Sequence, residues 1–133
     1  MKCWLITLIS GLMCLISCEQ QPYQIGQRLY QAQCANCHMD TGVGLGALMP
    51  PLAGSDYLAK HRQTLPCIIR NGLQDTIQVN GQQYAEQMPG NKNLSDIQIA
   101  NLLNYVMQSW GNNHPPYTLE EVQQALNQCP APK

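Results

Sequence analysis

An all-α fold carrying one small hairpin is predicted by three observations. Ile99, Leu102, Leu103, Val106 and Trp110 recur at helical spacing behind Ser95-Asp96-Ile97-Gln98, a capping box that starts a helix, and Gly111 follows as a stop. Ile25, Leu29 and Ala32 form a second helical stripe from Tyr23 onward. Between them, the one strong strand signal is Ile77 and Val79 alternating into Asn80-Gly81, with Tyr84 on the return.

The stripe of Ile25, Leu29 and Ala32 runs into Cys34-Ala35-Asn36-Cys37-His38. Two cysteines two residues apart, with a histidine directly after the second, form the attachment signal for c-type haem. Each thiol adds across one haem vinyl group, so the sulfurs must sit about one helical turn apart, and the next residue brings an imidazole to the iron. A thioredoxin-like dithiol expects a βαβ pattern, and none surrounds this pair. Structural zinc expects a second ligand pair, whereas Cys67, His114 and Cys129 stand apart. The expected cofactor is therefore one covalent haem c, held through Cys34 and Cys37.

Residues 1–17 read as a lipoprotein signal peptide. Met1-Lys2 is a short basic start, and the apolar run from Cys3 to Ile16 is short for a membrane span. The run ends in Leu15-Ile16-Ser17-Cys18, which resembles the bacterial lipobox and implies acylation at Cys18. Residues 18–22 are then a polar tether. The expected location is the periplasmic side of a Gram-negative membrane, with Glu19 after the cysteine favouring the outer membrane. The whole chain has 133 residues, 7 Lys+Arg against 8 Asp+Glu, and no Phe. No basic patch suggests nucleic acid. A core this poor in large apolar residues is easier to accept with a haem at its centre.

Further residues carry a family resemblance. Gly26 and Tyr30 on the first helix, the haem signature, Pro50-Pro51-Leu52, Met88-Pro89, and the run from Leu94-Ser95-Asp96 to Trp110-Gly111-Asn112 resemble the class I c-type cytochromes over about residues 23–112. The resemblance implies that the last helix of that region crosses the first near Gly26 and Tyr30. It implies that a proline carbonyl some twelve positions after His38, at Pro50 or alternatively Pro51, accepts a hydrogen bond from the free ring nitrogen of that histidine. Met88 is implied as the second axial ligand. Met39 adjoins His38, Met49 lies on the proximal loop and Met107 falls in the last family helix. His61 and His114 read as surface residues. Met/His ligation raises the reduction potential and leaves the iron no open position.

In the loops, Ser55 is expected to cap a short helix through Ala59, and Thr64 a second one with Pro66 in its first turn and Gly72 past its end. Residues 113–133 are an appended segment in which Thr118 opens a capping box and Val122, Ala125 and Leu126 face inward. Cys67 and Cys129, claimed by neither haem nor lipid, are expected to pair in an oxidising compartment. The expected function is electron carriage between redox partner proteins, with no catalytic residues and no small-molecule substrate. The alternatives are a fixed haem subunit of a dehydrogenase or terminal reductase, or a gas-binding or peroxidatic cytochrome that releases Met88.

Overall fold

The computed structural model describes residues 23–130. The signal segment, Cys18 and the tether lie outside the described residues. Helix α1 (Gln24–Gln33) leads into the single turn α2 (Ala35–His38), and α3 (Asp56–Lys60) and α4 (Leu65–Asn71) follow a long loop. After four short strands come α5 (Asp96–Gln108) and α6 (Leu119–Asn127).

The face that α1 buries is Gly26 and Tyr30. The expected stripe is a correction here: Ile25 is 56% exposed, Ala32 is exposed and Leu29 is half-buried. The crossing with α5 decides the matter. A Cβ on Gly26 would stand 2.1 Å from the Asn101 carbonyl oxygen and 2.7 Å from Tyr105 Cβ, so glycine is what lets the two backbones meet. Tyr30, fully buried, then tilts against Tyr105 and Trp110 at centroid distances of 5.5 and 4.9 Å.

Helix α5 starts with the complete Ser95/Gln98 capping box and buries Ile99, Leu102, Leu103, Val106 and Met107. It ends at Gln108, three residues before the expected stop at Gly111. Ser109 turns extended and Trp110 takes φ 55°. This swing carries the indole off the helix and onto Gly42, whose Cβ would lie 2.5 Å from the ring. The indole N–H donates to the Asp40 carbonyl at 3.1 Å.

Two expected caps are absent from α3 and α4. Ser55 is buried and makes no cap bond, and Thr64 Oγ1 donates backward to the His61 carbonyl at 2.9 Å. At α3 the Asp56 side chain is engaged elsewhere. Its carboxylate accepts from Asn80 N–H at 2.7 Å while Asn80 Oδ1 accepts from Asp56 N–H at 3.0 Å. That exchange ties α3 to the hairpin of β2 (Ile77–Val79) and β3 (Gln82–Tyr84), where Asn80 and Gly81 both have positive φ as the tight turn requires. A second ladder, not foreseen in the sequence, pairs β1 (Gly72–Leu73) with β4 (Met88–Pro89).

The extension is integral to the core. Tyr117 and Val122 are buried with the α5 residues. Tyr117 N–H donates to Asn104 Oδ1 at 2.6 Å, and Asn104 Nδ2 returns a bond to the Tyr117 carbonyl at 3.0 Å. Cys67 of α4 is bonded to Cys129 just past α6. Thr118 completes its capping box with Glu121.

Candidate functional site

A cleft of about 1200 Å³, its solvent-filled mouth included, opens between α2, the proline loop, α4, the hairpin and α5. Cys34, Cys37, His38, Pro50 and Met88 all line it. The walls are apolar, with Leu52, Leu58, Leu65, Ile68, Leu102 and Val106 among them. Asp75 and Glu86 line it as well, and no lysine or arginine does. Met49 is the other methionine on the cleft, directly before Pro50; Met39 and Met107 do not line it.

Each proximal group is placed by a local device. Cys34 N–H donates to the Tyr30 carbonyl and ends α1; His38 N–H then donates to the Cys34 carbonyl at 2.9 Å and closes the turn of α2. Cys34 is half-buried and Cys37 exposed, and they are the two free thiols among the described residues. Burial, and after it the neighbouring Cys37, pushes the Cys34 thiol up to about 11. The Tyr30 hydroxyl donates to the Met39 carbonyl at 2.6 Å, which fastens α1 to the residue after His38. Burial raises the Tyr30 pKa, so the group stays a donor.

His38 is buried, and its Nδ1 lies 3.0 Å from the Pro50 carbonyl oxygen. A carbonyl can only accept, so Nδ1 carries the hydrogen and Nε2 keeps its lone pair. Burial lowers the pKa of the ring, against the smaller opposing pull of the Pro50 bond, which favours the neutral imidazole a metal requires. Asn112, also buried, fixes the loop from behind. Its Nδ2 donates to the Leu52 and Val106 carbonyls, both at 2.9 Å, and its Oδ1 accepts from Gly54 N–H at 2.9 Å. Its role was not assigned from the sequence; its place in the Trp110-Gly111-Asn112 stretch was the available signal.

His61 is exposed and stacks on Tyr57 at 3.9 Å, and neither it nor His114 lines the cleft. Among the described residues no group of three or more His, Cys, Asp or Glu could hold a metal ion. Two free thiols one turn apart, a buried neutral imidazole with Nδ1 already committed and an apolar slot all fit haem c.

A family profile described as Cytochrome c matches residues 23–110. The chain belongs to the cytochrome c family. As a member it carries one covalently bound haem c, attached through cysteines, and it is an electron carrier, not itself an enzyme. Cytochrome c-552 from Thermus thermophilus is 39% identical, with 73% of this chain and 80% of the relative covered. The cytochrome c subunit of alcohol dehydrogenase (quinone) from Gluconobacter oxydans is 38% identical over 68% of this chain. That match spans 19% of the subunit. The family match ends at residue 110, ahead of the extension of residues 113–133 that carries α6.

Proposed function

We propose that this cytochrome carries single electrons between membrane or periplasmic oxidoreductases, its iron held between His38 Nε2 and Met88 Sδ, and that Cys18 anchors it by lipid on the periplasmic side of the membrane. The observation that carries the ligand assignment is Met88 on the same cleft as His38, delivered by its own strand. Met49, the other methionine there, is bound to the loop that supplies Pro50. Haem bound in this cleft supplies a ferric/ferrous one-electron couple. The chain's own contribution is to orient and tune. Pro50 holds the imidazole in one tautomer and raises its basicity, the aliphatic walls exclude water, and the Met88 thioether raises the potential.

Substitution tests the ligands. His38→Ala should abolish a stable holoprotein. Met88→Ala should leave haem attached through the cysteines, lower the potential and admit carbon monoxide; a variant that keeps its potential and refuses carbon monoxide removes Met88 from the assignment. Location is supported by the apolar segment ending in Leu15-Ile16-Ser17-Cys18. Among the described residues no helix is long and apolar enough to cross a membrane. Mass spectrometry of the purified N-terminus should find acyl groups on Cys18, and Cys18→Ala should lack them. Likeness to an alcohol dehydrogenase cytochrome subunit favours a second reading, a haem subunit bound to one enzyme. Stable co-purification with a single dehydrogenase under mild detergent would decide for it.

A further inference from the structure

Met88 reaches the cleft on a two-residue strand whose one ladder partner, among the described residues, is the short strand that directly follows a helix. Leu73 lies opposite Met88 and Gly72 opposite Pro89, and β1 continues without a break from α4. The joint is close-packed. A Cβ on Gly72 would stand 2.5 Å from the Met88 carbonyl oxygen, and one on Gly90 would stand 2.6 Å from Gly72 N. Just beyond, Asn91 N–H donates to the Ile69 carbonyl at 2.8 Å. Moving Met88 away from the cleft must therefore part β4 from α4 or drag α4 along.

The extension grips α4 from its other side. Arg62, ahead of the helix, donates to the carbonyls of Pro115 and Pro116 at 2.6 and 2.9 Å and lies 3.8 Å over the Tyr117 ring. The Tyr117 hydroxyl donates back to the Arg62 carbonyl at 2.7 Å. Within the helix, Cys67 is bonded to Cys129, and this link spans 62 residues that include Met88 and all of α5. The same helix turns Leu65, Ile68 and Ile69 to the cleft.

We infer that the Cys67–Cys129 disulfide is a positioning device for Met88: it locks α4 against α6, and the end of α4 holds β4 and its methionine at the cleft. This rests on the reading of Met88 as an iron ligand. The proximal side is independent of it, because Cys34, Cys37, His38 and Pro50 all lie on α2, its N-cap and the proline loop. Loss of the disulfide leaves haem attachment intact and makes Met88 easier to displace.

The experiment titrates ferric holoprotein with imidazole, which competes with Met88 for iron, in wild type and in the Cys67→Ser/Cys129→Ser double variant. The long-wavelength absorption of sulfur-ligated ferric iron is followed in parallel. Ile99→Val, a trim of the α5 core, serves as a control for general destabilisation. The double variant should bind imidazole about tenfold more tightly, a modest part of what a cross-link of this span contributes to stability. Ile99→Val should lower the unfolding midpoint with imidazole affinity unchanged. Equal affinity in wild type and double variant, with the sulfur absorption present in both, overturns the positioning role alone. An equal gain in Ile99→Val also overturns it. A wild type without the sulfur absorption overturns the Met88 assignment and the positioning role together. Should the double variant not fold, wild type treated with dithiothreitol is compared in the ferrous state for carbon monoxide binding, which must tighten on disulfide cleavage; unchanged binding overturns the role.

Discussion

The His38 Nδ1 to Pro50 carbonyl contact, 3.0 Å, is held in place by a glycine. A Cβ on Gly44 would stand 2.3 Å from the Met49 carbonyl oxygen and 2.7 Å from both the carbon and oxygen of the Pro50 carbonyl, and Gly44 itself has φ 73°. Gly44→Ala must therefore shift the acceptor of the histidine bond. The expected loss of stability is about 1–3 kcal/mol by denaturant unfolding. The reduction potential should rise, because a weaker bond at Nδ1 makes the imidazole a poorer donor to ferric iron. A folded variant with an unchanged potential would show that this bond does not tune the haem.

A second glycine controls the scaffold. Gly26→Ala places a methyl 2.1 Å from the Asn101 carbonyl oxygen, backbone that cannot rotate away. The α1–α5 crossing should open and stability fall by about 1–3 kcal/mol or more. Urea unfolding of the holoprotein measures this, and a midpoint equal to wild type would mean that the two helices do not need their close approach.

What the sequence made legible follows from how local each signal is. The haem signature, both capping boxes and the Asn80-Gly81 turn are short-range chemistry, and each stands at its expected residues. Misreadings arose where distant residues decide. Ile25, Leu29 and Ala32 satisfy helical periodicity as well as Gly26 and Tyr30 do, but only the position of α5 makes the glycine face the buried one. Trp110 continues the α5 stripe in sequence, yet its indole packs on Gly42 and Tyr30, contacts that no period encodes. Ser55 and Thr64 have the right chemistry for caps, and Asn80, met 24 residues on, engages Asp56 instead. The β1–β4 ladder is two residues per strand, too short for alternation to appear.

The start of α6 has a pH signature. Glu121 accepts from Thr118 N–H at 2.7 Å and lies 3.5 Å from Arg62; the Thr118 bond first, with Arg62 a lesser contributor, holds its carboxyl below the usual range against the opposing effect of burial. A depressed folded pKa contributes stability that is present above the ordinary carboxylate value, about 4.3, and is lost as pH falls through the lower folded value. Gln98 completes the same motif at Ser95 without charge, so Glu121→Gln keeps the cap and removes the ionisation. The variant should unfold slightly earlier than wild type at neutral pH, and the gap should close on acidification below about 4. A gap independent of pH would assign the effect to packing.

Encounter with partners should be steered weakly by charge. The chain carries 7 Lys+Arg against 8 Asp+Glu, so it cannot build the lysine ring by which strongly basic cytochromes approach acidic partners. The loop that leads into Pro50 and Pro51 on the cleft wall has no charged residue from Thr41 to Ser55, and it exposes Val43, Leu45 and Leu48 at 58, 47 and 57%. Cys37, one of the two cysteines that would hold the haem, is exposed on the same cleft. Docking there should be apolar contact over a small, transient footprint, and tethering at the proposed Cys18 anchor should offset slow encounter by raising the local concentration. Electron-transfer rates with a membrane-bound partner should therefore change little between low and high salt. Leu45→Lys and Leu48→Lys should each slow transfer while leaving the visible spectrum and potential unchanged, since neither side chain lines the cleft. Stopped-flow measurements across a salt series test both claims. A wild-type rate that falls by about an order of magnitude or more with salt would reveal charged docking at another face.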